Sequence, residues 1–184
     1  MKKIVLTFGL ISGAILSVMM LLTIPLVFED SIGSDQGMVI GYTTMVVAFL
    51  LIYFGVRSYR DNVAGGSVSF GRAFAVGALI MVIASVCYVA TWQLIYFKLK
   101  PEYAATFAAQ NIERARRGGA SEAEVQLKVA EAQRFNERYN NPLFNSAVTF
   151  LEPLPVGLVF ALVSAAVLRR RRDQTGSAAL ATST

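Results

Sequence analysis

Four long apolar segments dominate the pattern of hydrophobic and polar positions along the chain. They cover residues 4–28, 38–56, 73–97 and 143–168. Each is close to or above the ~20 residues that a helix needs to cross the hydrocarbon core of a bilayer. The pattern predicts an all-α fold: a four-transmembrane-helix bundle that forms a single membrane domain over residues 1–172.

A shorter, amphipathic stretch separates the third and fourth segments. Pro101 opens it, Gly118-Gly119 interrupts it, and Ser121-Glu122-Ala123-Glu124 matches a capping box at the start of a second helix. Residues 101–140 are therefore predicted to form an extracytoplasmic helical hairpin. The apolar stripes of this hairpin have two alternative roles. They pack on each other or on the bilayer surface, or they form a docking surface for a partner. Favourable i,i+4 pairs are expected at Glu113–Arg117 and Glu124–Lys128.

Charge is distributed unevenly among the connections between segments. The first connection, residues 29–37, contains three acidic residues and no base. The first segment is longer than the ~7–15-residue core of a signal peptide, so we interpret it as a retained helix. Because basic connections stay in the cytoplasm, we expect both termini inside and a disordered cytoplasmic tail over residues 173–184. The bases that support this topology are Lys2, Lys3, Arg57, Arg60, Arg72 and Arg169–Arg172.

Composition narrows the range of functions. The chain is 55% hydrophobic and 16% charged, whereas charged residues average about 25% in soluble domains. Its net charge of +5 is explained by bases at membrane edges, so we expect membrane lipid and no nucleic acid as a partner. There is no histidine, and the one cysteine, Cys87, lies within an apolar segment. We therefore expect no metal site, no cofactor and no enzymatic activity.

Glu152 is the most informative single residue. It lies with Pro153 and Pro155 inside the fourth apolar segment. Carboxylates within hydrocarbon are costly and usually mark function, and the prolines remove backbone donors and bend the helix. We predict a local polar cavity in the outer half of the bundle; the alternative is a structural carboxylate that holds the kink. Hydrogen-bond partners are expected at similar depth, among Trp92, Gln93, Tyr96, Tyr42, Thr43, Thr44, Thr23 and Pro25.

Arginines near the second connection form a separate candidate site. Arg57, Arg60 and Arg72 flank a compact loop predicted over residues 55–66. Bases at this depth can contact anionic lipid headgroups, each contact being worth about 1 kcal/mol. The alternative is that they only anchor the cytoplasmic side of the spans.

Small residues recur at helical spacing within three of the apolar segments. Such rows let helix backbones approach closely. They are expected to serve packing within the bundle, with dimerisation as the alternative. The rows are Gly9 and Gly13; Ala73 and Gly77; and Gly157, Ala161 and Ala165.

Several strings resemble a bacterial integral membrane family, domain of unknown function 4199. The resemblance covers about residues 4–170, in the same order and spacing. It implies a bacterial inner-membrane protein without an established activity, cofactor or partner. The strings are GVRSYRD at 55–61, GG at 65–66, FGRAF at 70–74, YVATW at 88–92, YNNP at 139–142 and TFLEPLPVG at 149–157.

Two functions follow from these features. The first is a structural or accessory protein that acts through protein–protein contacts, with a membrane-protein partner or as a homo-oligomer. The alternative is a small oligomeric transporter or proton-coupled carrier that uses Glu152 and the proline-broken fourth helix, since broken helices at membrane depth are typical of transport sites.

Overall fold

The computed structural model describes residues 1–28 and 32–169. Within those residues the chain is helical, without a strand. Residues 29–31 and 170–184, which hold Glu29, Asp30, three of the four terminal arginines and the predicted tail, lie outside the described residues. The helices are α1 (Lys2–Phe28), α2 (Ser34–Asn62), α3 (Phe70–Leu94), α4 (Tyr103–Arg117), α5 (Glu122–Tyr139), α6 (Pro142–Leu151) and α7 (Leu154–Leu168).

Four helical segments are long and apolar enough to cross a membrane. They are α1, α2, α3 with its π-helical extension Ile95–Leu99, and α6 together with α7. These helices are longer than the predicted apolar segments. Their ends include polar residues that continue the helical backbone hydrogen bonding. The chain has the architecture of a multi-pass membrane protein.

The four segments pack as a bundle around a tightly filled centre. Helix α3 contacts α1 and α7, and α2 contacts the same two helices. Among the described residues, α1 and α7 therefore lie on opposite sides of the α2–α3 pair. Phe49 and Ile52 of α2 and Ile80 of α3 are fully buried between them. This core fills the middle of the bundle.

Glycines mark the closest approaches between helices. A Cβ added to Gly13 would lie 2.6 Å from Cys87 Cβ, so α1 and α3 nearly touch there. A Cβ added to Gly77 would lie 3.1 Å from Ala161 Cβ of α7. The small-residue rows thus serve packing within the bundle, as predicted.

Basic residues gather at one end of the bundle, which we call the basic end. Arg57 and Arg60 lie in the last turns of α2, because this helix continues to Asn62. The prediction of a compact loop over residues 55–66 is therefore wrong for residues 55–62, which are helical. Arg60 Nε lies 2.7 Å from Asp61 Oδ1, and Arg57 Nε lies 3.6 Å from Asp61 Oδ2. Arg72 follows in the first turn of α3.

Helices α4 and α5 lie at the other end, which we call the α4–α5 end. Helix α4 ends in a Schellman motif, in which Gly119 has φ 84° and Ala120 N–H donates to the Ala115 carbonyl. Helix α5 begins with the predicted capping box between Ser121 and Glu124. The two helices contact each other, and α5 also contacts α6.

One of the two predicted ion pairs on these helices forms. Arg117 Nε lies 3.0 Å from Glu113 Oε1. Glu124 instead accepts hydrogen bonds from Ser121 N and Ser121 Oγ, at 2.8 and 2.9 Å. These two bonds hold the carboxylate at the helix start and lower the pKa of Glu124. The pair expected with Lys128 is therefore not made at bonding distance.

Candidate functional site

The fourth membrane segment is broken at Glu152. Helix α6 ends at Leu151 and α7 begins at Leu154, as the prolines predict. Pro153 and Pro155 have no N–H, so they cannot donate to the carbonyls four residues earlier. Backbone bonding resumes where Gly157 N–H donates to the Pro153 carbonyl at 2.9 Å. The break places the Glu152 side chain at the junction of two helices.

Glu152 is hydrogen-bonded to Tyr88 of α3. The Tyr88 hydroxyl donates to Glu152 Oε2 at 2.9 Å. This corrects the prediction that Glu152 bonds one of the polar residues at its estimated depth. Tyr88 lies one helical turn from Trp92, and the spacing of Tyr88, Trp92 and Tyr96 puts all three on one face of the helix. That aromatic stripe is the sequence signal that could have identified Tyr88 as the partner of Glu152.

Trp92 instead joins α3 to α5. Its indole Nε1 donates to the Tyr139 hydroxyl at 2.9 Å, and this hydroxyl lies 3.2 Å from Thr149 Oγ1 of α6. The Trp92 ring also meets Tyr103 of α4 edge-on, with centroids 5.2 Å apart. Trp92 is thus the point where α3, α4 and α5 meet.

Gln93 and Tyr96 hold the junction between α5 and α6. Gln93 Nε2 lies 2.9 Å from Asn145 Oδ1 and 2.8 Å from Ser146 Oγ. The Tyr96 hydroxyl donates to Asn140 Oδ1 at 2.8 Å. Asn145 is fully buried, so this network satisfies a polar group that would otherwise be costly. Both residues therefore have a structural role beside the site.

The predicted residues of the first and second spans divide into two groups. Tyr42, Thr44 and Thr23 line a cavity that Glu152 also lines. The Thr44 hydroxyl donates to the Ile40 carbonyl at 2.7 Å, within its own helix. Thr43 is exposed and is not a lining residue, and Pro25 lies within α1 and is not a lining residue either.

The cavity at the α4–α5 end has a volume of about 280 Å³. Apolar and aromatic side chains form most of its wall, and Glu152 is the one carboxylate or base among its described lining residues. Below it, Phe49 and Ile52 close the bundle. The wall includes Leu16, Met19, Met20, Thr23, Ile24, Val27, Met38, Gly41, Tyr42, Thr44, Met45, Tyr88, Trp92, Tyr103, Phe107, Tyr139, Thr149 and Glu152.

A groove of about 930 Å³ runs between α4 and α5 and meets this cavity. Phe107 and Phe135 border the groove and are 39% and 49% exposed, so the apolar stripes of the two helices do not cover each other completely. The groove and the cavity share five lining residues: Trp92, Tyr103, Phe107, Tyr139 and Glu152. Glu152 is therefore reached from the surface through the space between α4 and α5.

The tyrosines contributed by α4 and α5 stay protonated over a wide pH range. Burial raises the pKa of Tyr103 to about 12, with smaller contributions from Tyr139 and Glu152. Burial also raises the pKa of Tyr139. At neutral pH both hydroxyls therefore remain neutral hydrogen-bonding groups at the border of the cavity.

The sequence matches one family over residues 7–170, and this family is described as protein of unknown function (DUF4199). The chain belongs to the DUF4199 family. The match includes all residues that line the cavity. Comparison with curated proteins and with solved structures gave no match.

The predicted headgroup contacts of this DUF4199 protein lie away from the cavity, at the basic end. Arg72 and Arg169 border an open pocket of about 780 Å³ beside the turn from α2 to α3. Arg57 and Arg60 are paired with Asp61 and do not line that pocket. The structure therefore separates the three arginines into two groups.

No group of three metal-binding side chains occurs within residues 1–28 and 32–169 of the DUF4199 protein, counting histidine, cysteine, aspartate and glutamate. The chemistry of its candidate site is that of one carboxylate, several hydroxyls and a ring of aromatic side chains.

Proposed function

We propose that this protein is a cytoplasmic-membrane protein that binds a small amphipathic molecule in the cavity at the α4–α5 end. The observation that carries the proposal is the cavity itself: a mostly apolar and aromatic wall with several hydroxyls, one carboxylate among its described residues, Glu152, and an entrance between α4 and α5. Ligand sites in proteins are typically concave and apolar, with a few polar groups that fix orientation.

The proposal includes an orientation. The basic end, with Lys2, Lys3, Arg57, Arg72 and Arg169, faces the cytoplasm, because bases are retained on that side. Helices α4 and α5 then form an extracytoplasmic hairpin, and the cavity opens outward. A cysteine at Ala120, in a Cys87→Ala background, should react with an impermeant maleimide added to intact cells. A cysteine at Val63 should react only after permeabilisation; the reverse pattern would refute the orientation.

The shape of the cavity supports binding rather than open conduction. Phe49, Ile52 and Ile80 fill the bundle between the cavity and the basic end. A carrier function, in which Glu152 couples transport to a proton, is the second candidate and is favoured by the helix break at Pro153. It requires a further conformation that opens the basic end. Uptake of the ligand into proteoliposomes distinguishes a carrier from a protein that only binds the ligand.

An accessory function through protein–protein contacts is a further candidate. It is supported by Leu127 and Phe135 of α5, which are 60% and 49% exposed. In this case α5 itself is the contact surface, and a membrane-protein partner or a second copy covers it. Leu127→Ser together with Phe135→Ser should then release a stoichiometric partner that native mass spectrometry detects with the unchanged protein.

Trp92 makes ligand binding measurable, because it lines the cavity and is the one tryptophan of the chain. The probe is 6-bromohexanol, whose bromine quenches a nearby indole. Quenching of Trp92 fluorescence should saturate as the probe concentration rises, because the cavity fills. This saturable part adds to a linear background from probe dissolved in the micelle. Linear quenching alone would contradict the proposal.

A matched pair of glycine variants locates the bound probe. Gly41 lines the cavity, Gly71 does not, and a Cβ added to either meets no atom within 4 Å. Gly41→Leu should abolish the saturable component by filling the cavity, and Gly71→Leu should preserve it. Equal effects of the two variants would place the probe outside the cavity.

A further inference from the structure

We infer that the ligand of this cavity is an organic cation: an ammonium headgroup with an apolar tail. The inference rests on the proposed function and names its ligand class. It starts from the Glu152 carboxylate, which accepts one hydrogen bond from Tyr88 through Oε2. Oε1 has no hydrogen bond to any described residue.

The cavity offers this carboxylate no internal counter-charge. No lysine or arginine is among the described residues of its wall. Arg114 and Lys128 border the outer groove instead. Glu152 lies within a segment long and apolar enough to cross a membrane, where a carboxylate without a paired base is costly, and a cationic headgroup next to Oε1 supplies the missing charge. An anionic headgroup would add a second negative charge at the same place.

Aromatic rings line the same cavity as the Glu152 carboxylate. Trp92 and Tyr103 meet at 89°, and Tyr103 and Phe107 lie parallel with centroids 5.9 Å apart. A cation within about 6 Å of such rings is attracted by their negative faces, and tryptophan is the strongest of them. Six aromatic residues share the wall with Glu152: Tyr42, Tyr88, Trp92, Tyr103, Phe107 and Tyr139.

Three of the five polar groups in this aromatic set bond within the protein, and the Tyr42 and Tyr103 hydroxyls bond no described residue. Trp92 Nε1 donates to Tyr139, the Tyr139 hydroxyl lies against Thr149, and the Tyr88 hydroxyl donates to Glu152. What these three rings still offer a ligand is mainly their π faces. Contact with these three rings therefore suits a cation that needs few hydrogen bonds, such as an alkylated ammonium.

The remainder of the wall suits an apolar tail. Leu16, Ile24 and Val27 of α1 line the cavity beside four methionines, Met19, Met20, Met38 and Met45. Methionine side chains are flexible and polarizable, so they adapt to ligands of different shape. The cavity therefore presents a charged, aromatic side to the headgroup and a deformable apolar side to the tail.

Three probes with one brominated tail test the inference: 6-bromohexyltrimethylammonium, 6-bromohexanol and 6-bromohexyl sulfate. Saturable quenching of Trp92 is measured for each in the purified full chain. The ammonium should bind about tenfold more tightly than the alcohol, a ratio that one ion pair with cation–π contacts supplies. The sulfate should bind most weakly. In Glu152→Gln the ammonium-to-alcohol ratio should fall to about one.

The outcomes separate the two proposals. If the alcohol binds saturably and the ammonium has no advantage over it, the cation inference is wrong while the ligand-binding function stands. If the sulfate binds as tightly as the ammonium, the inference is also wrong. If none of the three probes quenches saturably, the proposed function fails and the inference fails with it. The relative affinities of the three probes are measured in the unchanged protein. They therefore test the cation inference even if Glu152→Gln does not fold.

Discussion

The Tyr88 hydroxyl donates a 2.9 Å hydrogen bond to the Glu152 carboxylate, joining residues that are 64 positions apart in the chain. Tyr88 belongs to a continuous helix, and Glu152 lies at the break between α6 and α7. The bond therefore fixes the broken segment against the unbroken one. It also sets the position of the carboxylate at the cavity.

Tyr88→Phe should destabilise the protein through loss of this bond. Side-chain hydrogen bonds between membrane helices contribute about 0.6 kcal/mol on average and up to about 1.7 kcal/mol. Tyr42→Phe is the matched control, because Tyr42 lines the same cavity and its hydroxyl bonds no described residue. Unfolding in mixed micelles measures both variants. Equal stability of the two would show that the Tyr88 bond contributes nothing.

Tyr139→Phe should loosen α5 from the bundle. The variant loses the bond from Trp92 Nε1 and the contact with Thr149 Oγ1, and it leaves a partly buried indole donor without this partner. Faster amide exchange over the last two turns of α5 is expected, with a shift in Trp92 emission. Tyr103→Phe is the control, since Trp92 meets Tyr103 through its ring and not through a hydroxyl. Unchanged exchange in Tyr139→Phe would contradict the anchoring role.

Gly13→Ala should destabilise the α1–α3 contact, because the added methyl would lie 2.6 Å from Cys87 Cβ and 2.8 Å from its Sγ. Over-packing of this kind costs about 1–3 kcal/mol. Gly71→Ala is the control and should not destabilise the protein, because its added Cβ meets no atom within 4 Å and alanine is a better helix former than glycine. A Gly13→Ala protein as stable as the original would mean that the helices separate there without cost.

Local features of this fold were predictable because their causes lie within a few residues. The capping box at Ser121, the end of α4 at Gly118-Gly119 and the break at Pro153 depend on backbone donors that the sequence specifies directly. The four apolar segments were predictable from length and hydropathy, since four helical segments have the required properties.

The partner of Glu152 was not predictable in the same way. Pairing across helices depends on how α3 and α6 are rotated about their axes, and hydropathy does not specify that rotation. Counting residues gives depth to within about one turn, or ~5.4 Å, which is the difference between Trp92 and Tyr88. The bonds from Gln93 to Asn145 and Ser146 escaped prediction for the same reason, although the polarity of these residues was visible.

Ser121→Ala should destabilise the start of α5 by about 1 kcal/mol, the usual contribution of an N-cap serine. Amide protection in the first turn should then fall about fivefold. Ser69→Ala is the matched control: Ser69 is the N-cap of α3, but its side chain makes no capping bond. Equal losses in the two variants would show that the Ser121 bonds are not stabilising.

The same cap should respond to pH through Glu124, whose pKa in the folded chain is lowered by Ser121. A lowered pKa stabilises the folded form above the ordinary glutamate pKa, and this contribution disappears as the pH falls through the lowered value. First-turn protection, corrected for chemical exchange, should therefore decrease below about pH 4.3 in the original chain. Glu124→Ala should abolish this decrease, while Glu122→Ala should retain it. Protection that rises on acidification would contradict the direction of the pKa shift.

The most direct test of the ligand-binding proposal is protection of a cavity thiol. Cysteine replaces Gly41, which lines the cavity, or Val47, which is 52% exposed on the outside of α2, in a Cys87→Ala background. An impermeant maleimide should label position 41 from the extracytoplasmic side. Saturating 6-bromohexyltrimethylammonium should slow that labelling at least tenfold, while position 47 stays unlabelled. Labelling at position 41 that is absent, or equally fast with and without the probe, would contradict a ligand-binding cavity at the α4–α5 end.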